Sequence, residues 1–158
     1  MSTAYTNRIH DIKYIYDSIE QVSIQHPGFA HFDSGSDTEL GKPDYSYPLL
    51  YLETIGQVTE STKTETYSIA LNICDRIAAD PNHRQRVEGH SKVKQLFSEA
   101  KRLIELLVGA VNVSDANILF YDHLSSDDLV AVRGEFTITV KRFVNPHDVK
   151  QLLEGGAK

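Results

Sequence analysis

From Ser91 to Val111 the chain reads S-K-V-K-Q-L-F-S-E-A-K-R-L-I-E-L-L-V-G-A-V, and Val93, Leu96, Phe97, Ala100, Leu103, Ile104, Leu107 and Val111 recur at steps of three and four. That spacing lines them up along one stripe of an α-helix. The opposite face carries Lys92, Lys94, Glu99, Lys101, Arg102 and Glu105, so the helix must lie on an apolar surface with its back in water. Ser91 is the expected N-cap, and Gly109 with Asn112 marks the end. A helix that long and that one-sided needs a sheet beneath it.

The rest of the chain supplies the sheet. Tyr67, Ile69, Leu71 and Ile73 alternate with Ser68, Ala70, Asn72 and Cys74, the two-residue period of a strand with one greasy face. Val132, Phe136, Ile138 and Val140 alternate in the same way with Arg133, Glu135, Thr137, Thr139 and Lys141, and Gly134 suggests a bulge. Two further strands are predicted, Tyr47 to Ile55 and Ala116 to Leu124, with Pro48 at a strand start or on an edge. A second amphipathic helix is predicted from Thr6 to Gln25 on Ile9, Ile12, Ile15, Ile19 and Val22, stopped by His26-Pro27-Gly28. Isoleucine is a modest helix former, so burial must hold that helix in place. Phe29 to Tyr47 and Gly56 to Glu65 are expected to be long polar loops, and a charged stretch after Asp80-Pro81-Asn82 leads into the long helix. The order α-β-β-α-β-β predicts an α+β two-layer sandwich, a four-stranded, mostly antiparallel sheet with two helices on one face. The expected domain covers 1–144, followed by a tail at 145–158, and the other sheet face is left semi-polar and open to contact.

Composition narrows the function. A chain of 158 residues suits one core. Its 16 Lys and Arg against 22 Asp and Glu give a formal charge of −6, which argues against a surface that neutralises nucleic-acid phosphates. A single cysteine, Cys74, leaves no internal disulfide and no Cys-x-x-Cys pair, as expected of a chain made in a reducing cytoplasm. No signal-peptide pattern and no apolar run of roughly 18 residues is found, so neither secretion nor a membrane is expected.

Residues that carry chemistry are present but do not converge. His26 and His31 read as solvated loop histidines, and His83 and His90, flanking H-R-Q-R, as solvated residues on the approach to the helix. Asp33, Asp37 and Glu39 sit in D-S-G-S-D-T-E, which lacks the alternation and later glutamate of a calcium loop. Asp122-His123 with Ser125 and Ser126 has no nucleophile elbow before it and reads as a turn. Phosphate loops, dinucleotide fingerprints and zincin motifs are missing, and Cys74 is expected to act as a small hydrophobe. No catalytic residue, cofactor or metal is expected. Tyr45, Tyr47 and Tyr51, with Pro48, cluster at the start of the first strand, where large rings with wet hydroxyls suit either sheet core or protein interface.

The helix ending in H-P, the phrases Y-P-L-L-Y-L-E, E-T-Y-S-I-A-L-N-I-C-D-R and S-K-V-K-Q-L-F-S-E-A-K-R-L-I-E-L-L, and the late V-R-G-E-F-T-I-T-V together resemble neck proteins of tailed bacteriophages. The likeness, over about Ile9 to Phe143, is to the tail-terminator or tail-completion-like ring proteins of the head-to-tail connector, in particular those of Bacteroidetes-infecting (crAss-like) phages. It implies a non-enzymatic virion subunit that assembles on itself as a ring, a hexamer or dodecamer, between portal or neck proteins and the tail tube. Genomic DNA would pass through the lumen without sequence-specific binding, and an acidic lining would help it slide. The resemblance also makes Tyr45, Tyr47, Pro48 and Tyr51 candidates for a subunit interface, and Asp33, Asp37 and Glu39 candidates for a loop facing lumen or partner. The chain departs from smaller terminators after Phe143. The competing expectations are a small α+β ligand-binding domain or enzyme with a pocket between sheet and helices, and an adaptor that binds one peptide at an edge strand.

Overall fold

The isoleucine seam makes a helix from Ile12 onward, although Ile12 itself is exposed; the expected start at Thr6, with Ile9, lies outside the described residues. In the computed structural model, which describes residues 12–36, 45–78, 80–122, 128–142 and 153, α1 spans Ile12–Gln25 with Ile15, Ile19 and Val22 buried. It ends at the expected His26-Pro27-Gly28. The chain then enters β1, His31–Gly35, and after residues outside the described set continues as β2, Leu49–Glu53. A short β3, Val58–Glu60, precedes the long β4, Thr64–Arg76. The long helix, α2, covers His83–Val108, followed by β5, Asn112–Val113, β6, Asn117–Asp122, and β7, Leu129–Lys141.

The fold is α+β as expected, but the sheet is larger and mixed. Among the described residues it has seven strands in place of four, in the order β1-β2-β4-β7-β5, with β3 also on β4 and β6 also on β7. The order α-β-β-α-β-β is corrected accordingly. β1 lies inside the stretch expected to be a loop and pairs parallel with β2; the remaining pairings are antiparallel. β3 folds the Gly56 to Glu65 connection back on β4. The expected C-terminal tail at 145–158 lies outside the described residues apart from Leu153.

Two sequence readings around α2 are corrected. The cap is Asn82, not Ser91. The Asn82 side chain accepts from the Gln85 N–H and the Gln85 side chain accepts from the Asn82 N–H, each at 2.9 Å, a reciprocal capping box. The charged stretch with His83 and His90 is therefore the helix's first two turns, invisible to apolar periodicity because only Gly89 in it is buried. At the other end Gly109 closes the helix in the left-handed region, φ 66°. The second correction concerns Gly134. The β4–β7 register runs unbroken from Thr64↔Lys141 to Arg76↔Leu129, with Leu71 opposite Gly134, so no bulge exists. A Cβ at 134 would collide with the ring of Phe97 on α2. Glycine is there so that Phe97 can reach the sheet, where it meets Phe136 edge-on with ring centroids 6.1 Å apart. Gly89 does the same from the helix side, its missing Cβ making room for Ile77 and Val130.

Both helices cover one face. A single buried cluster joins Ile15, Ile19 and Val22 of α1 and Val93, Phe97, Ala100 and Ile104 of α2 to Leu50, Leu52, Leu71, Ile73, Val132, Ile138 and Val140 of the sheet. The helices are tied to each other as well. Tyr14 donates to the Leu107 carbonyl at 3.2 Å, and His26 Nε2 meets Glu99 Oε1 at 2.6 Å while its Nδ1 accepts the Gly28 N–H at 2.8 Å. Because Nδ1 is an acceptor, Nε2 carries the proton toward Glu99. His26 is thus a joint between helices, in place of the solvated loop residue expected.

Candidate functional site

Neither α1 nor α2 lies on the sheet's other face, and its composition follows from strand alternation. Residues one step out of phase with the core, among them Asp33, Tyr51, Asn72, Arg133 and Leu119, form a straight row across β1, β2, β4, β7 and β6. At one end of this face Tyr45, Leu49, Tyr51, Cys74 and Ala131 form a second, smaller buried cluster, with Tyr47 and Tyr121 against it. Burial, with the negative charge of Asp75 beside it, pushes the Cys74 thiol up to about 12, so it sits in this cluster as an inert small hydrophobe.

At the centre of the face four strands are joined by a polar network. Glu53, at the end of β2, takes two hydrogen bonds from Arg133 on β7, Nε at 2.6 Å and Nη2 at 3.0 Å. Fully buried Asn72 on β4 donates to Glu53 at 2.7 Å and accepts from the Tyr121 hydroxyl of β6. Arg133 also donates to Glu135. Burial by itself would raise the Glu53 carboxyl; the hydrogen bonds from Arg133 and Asn72, together with the Arg133 charge, outweigh it and hold the group below its ordinary value. The Arg133 guanidinium is in turn held charged, first by its hydrogen bond to Glu53. A buried amide with both ends satisfied, clamped to a forked ion pair, fixes the lateral register of β2, β4, β7 and β6.

Beside the network lies a groove of about 600 Å³. Its lining includes small residues, Ser68 and Ala70 of β4, with Thr54, Gly56 and Gln57 from the connection after β2 and Ser114, Asp115 and Asn117 from the stretch around β6. Both charges of the central pair are already engaged, so the groove offers amide, hydroxyl and backbone groups with excess acidity from Asp115 and Glu135. No set of three His, Cys, Asp or Glu side chains converges as a metal cage among the described residues.

The residues singled out from sequence fall in different places. Tyr45, 7% exposed, and Tyr51, 0% exposed, are inside the chain. Their hydroxyls donate to Asp33 at 2.7 Å and to the Ser36 carbonyl at 2.5 Å. Tyr47 and Pro48 are half-buried, with Arg76 over the Tyr47 ring at 4.9 Å and the Pro48 carbonyl accepting from Ala30 at 2.9 Å. These two keep part of their surface exposed. Asp33 lies on β1 and is held by Tyr45; Asp37 and Glu39 lie outside the described residues. Sequence reasoning missed Glu53, Asn72, Arg133 and Tyr121, although the out-of-phase polar residues of two strands were a signal. What it lacked was the register that brings them together.

The edges of the sheet complete the surface. β6 borders one edge with Leu119 64% and Phe120 50% exposed. β1 borders the other, where a cleft of about 520 Å³ opens between it and α1, lined by Glu20, Ser23, Ile24, Phe29 and Phe32. No helix among the described residues is long and apolar enough to cross a membrane. Compared with known proteins, the chain matches no family model and no curated protein sequence.

Proposed function

We propose that this chain is a non-enzymatic assembly subunit that forms a ring with copies of itself at the head-to-tail junction of a tailed phage particle, with DNA passing through the lumen. The observation that carries this reading is the pair of sheet edges, unpaired among the described residues, one of which exposes Leu119 on one face of the sheet and Phe120 on the other. Bare apolar edges are a hazard that monomeric proteins blunt with charge, proline or a covering segment. A subunit that closes its edges against neighbours turns the hazard into an interface. The central network supports the same reading: it engages its own charges and leaves a polar, shallow groove. The helix–sheet interface, where the ligand-binding or enzyme alternative needs a pocket, is filled by fully buried aliphatic side chains. The net charge of −6 suits a lumen along which DNA slides.

The test is the mass in solution by size-exclusion chromatography with light scattering, followed by negative-stain imaging. A ring of six or twelve copies is expected. A single subunit at every concentration, with no ring in virions, overturns the reading.

A further inference from the structure

We propose that the ring is closed by sheet continuation: β6 of one copy pairs antiparallel with β1 of the next, so that one sheet runs around the assembly with all helices on the same side. The inference rests on the ring reading and specifies the contact that builds it.

Four observations converge on it. The two strands match in length, six residues against five, and cover the same rows of the sheet: Phe32, Leu50, Ile73, Val132 and Phe120 stand in line, as do Asp33, Tyr51, Asn72, Arg133 and Leu119. Their directions also fit. β1 runs parallel to β2, β2 and β7 both run antiparallel to β4, and β6 runs antiparallel to β7, so β1 and β6 point opposite ways at the two edges. Setting one copy beside the next without turning it over therefore gives an antiparallel pair, the more stable kind. The faces agree too. Phe120 lies on the helix side beside His90 of α2, ring centroids 5.4 Å apart. The cleft at the β1 edge is on the helix side as well, with Phe32 in it and Ile24 68% exposed at its rim. A neighbour's Phe120 would enter that cleft opposite Phe32, an aromatic cross-strand pair. The fourth observation is polar: His90 Nε2 is buried and has no hydrogen-bond partner among the described residues, and Glu20 and Ser23 border the facing cleft. The edge with an unpartnered imidazole nitrogen thus meets one that presents a carboxylate and a hydroxyl.

The contact is head-to-tail, each copy using a different edge, which is what a closed ring needs and an isologous dimer does not. It is tested by mixing two single variants, Phe32→Cys and Phe120→Cys, under mild oxidation. A mixed cross-linked dimer is expected from the mixture and none from either variant alone; the double variant should give a ladder of bands ending at the ring. Because Phe32 is partly buried, Phe120→Asp serves as a second arm. Its side chain is half exposed, so the fold is kept, and the mass should drop from the ring to one subunit. If wild type forms a ring but the mixture does not cross-link, or Phe120→Asp still assembles, sheet continuation is wrong and the ring reading survives. Cross-linking of Phe120→Cys to itself would place two β6 strands together and overturn the proposal in the same way. A monomeric wild type removes both.

Discussion

Two residues, Gly134 and Glu53, decide how closely this sheet is covered and how firmly it is registered. Gly134 has no side chain because Phe97 occupies the place a methyl would take. Gly134→Ala should cost about 1–3 kcal/mol by overpacking, read as a lower urea midpoint. In a Phe97→Leu background the same substitution should cost less, since the ring it strikes is gone, and a double-mutant cycle measures the difference. Glu53 works through charge. Glu53→Gln should cost about 1–3 kcal/mol near neutral pH, because the forked bonds from Arg133 lose their anionic acceptor. The pH dependence has a definite sign. The folded state holds the Glu53 carboxyl below its unfolded value, so its contribution is full above the unfolded carboxylate range and is lost as pH falls through the folded one. The gap between wild type and Glu53→Gln should therefore close in acid, as the pH falls below the ordinary carboxylate range and through the depressed titration of the folded state. Neither role was legible in the residues alone. Gly134 in a strand suggested a bulge, since a glycine that admits a ring from another layer looks the same in sequence as one that bends the chain. Glu53 and Arg133 are 80 positions apart, and only the register of three strands makes them neighbours.

At the scale of elements, legibility followed how strongly each one pays for its own burial with periodicity. The stripe of α2 and the alternation of β4 and β7 were plain because each has a one-sided environment over many residues. β1 was hidden because His31–Gly35 is uniformly half-buried, with glycine and serine in place of the β-branched residues a strand signal needs. β3 and β5 are three and two residues long, too short for any period. The start of α2 was misplaced for a related reason: its first two turns are mostly solvent-facing, so the apolar stripe begins later than the helix does. This gives a discriminating pair of substitutions. Asn82→Ala removes the capping box and should cost about 1 kcal/mol, with faster amide exchange confined to the first turn of α2. Ser91→Ala should be neutral or slightly stabilising, because the position is inside the helix and alanine is the better helix former. Equal losses at both positions would place the helix start wrongly.

The whole molecule is built to a common length. At about 1.5 Å per residue the 26 residues of α2 span about 39 Å, and at about 3.3 Å per residue the 13-residue strands β4 and β7 span about 43 Å. The long helix thus lies along the two longest strands and closes their apolar face from end to end, while α1 covers the β1 side. The centre of the helix–sheet interface is filled by buried side chains, and among the described residues the two lateral strands, β1 and β6, each have one unpaired edge. If those edges complete one another between copies, folding and assembly are linked by mass action. The stability of wild type should then rise with protein concentration, by about 1 kcal/mol per subunit for each tenfold increase, read as a higher urea midpoint. Phe120→Asp should show a midpoint independent of concentration. Since the chain has eight tyrosines and no tryptophan, tyrosine emission and far-ultraviolet circular dichroism are the two probes, and their transitions should coincide because one buried cluster spans both helices and the sheet. A wild-type midpoint that does not move over a hundredfold range of concentration would mean that the edges are finished within the single chain.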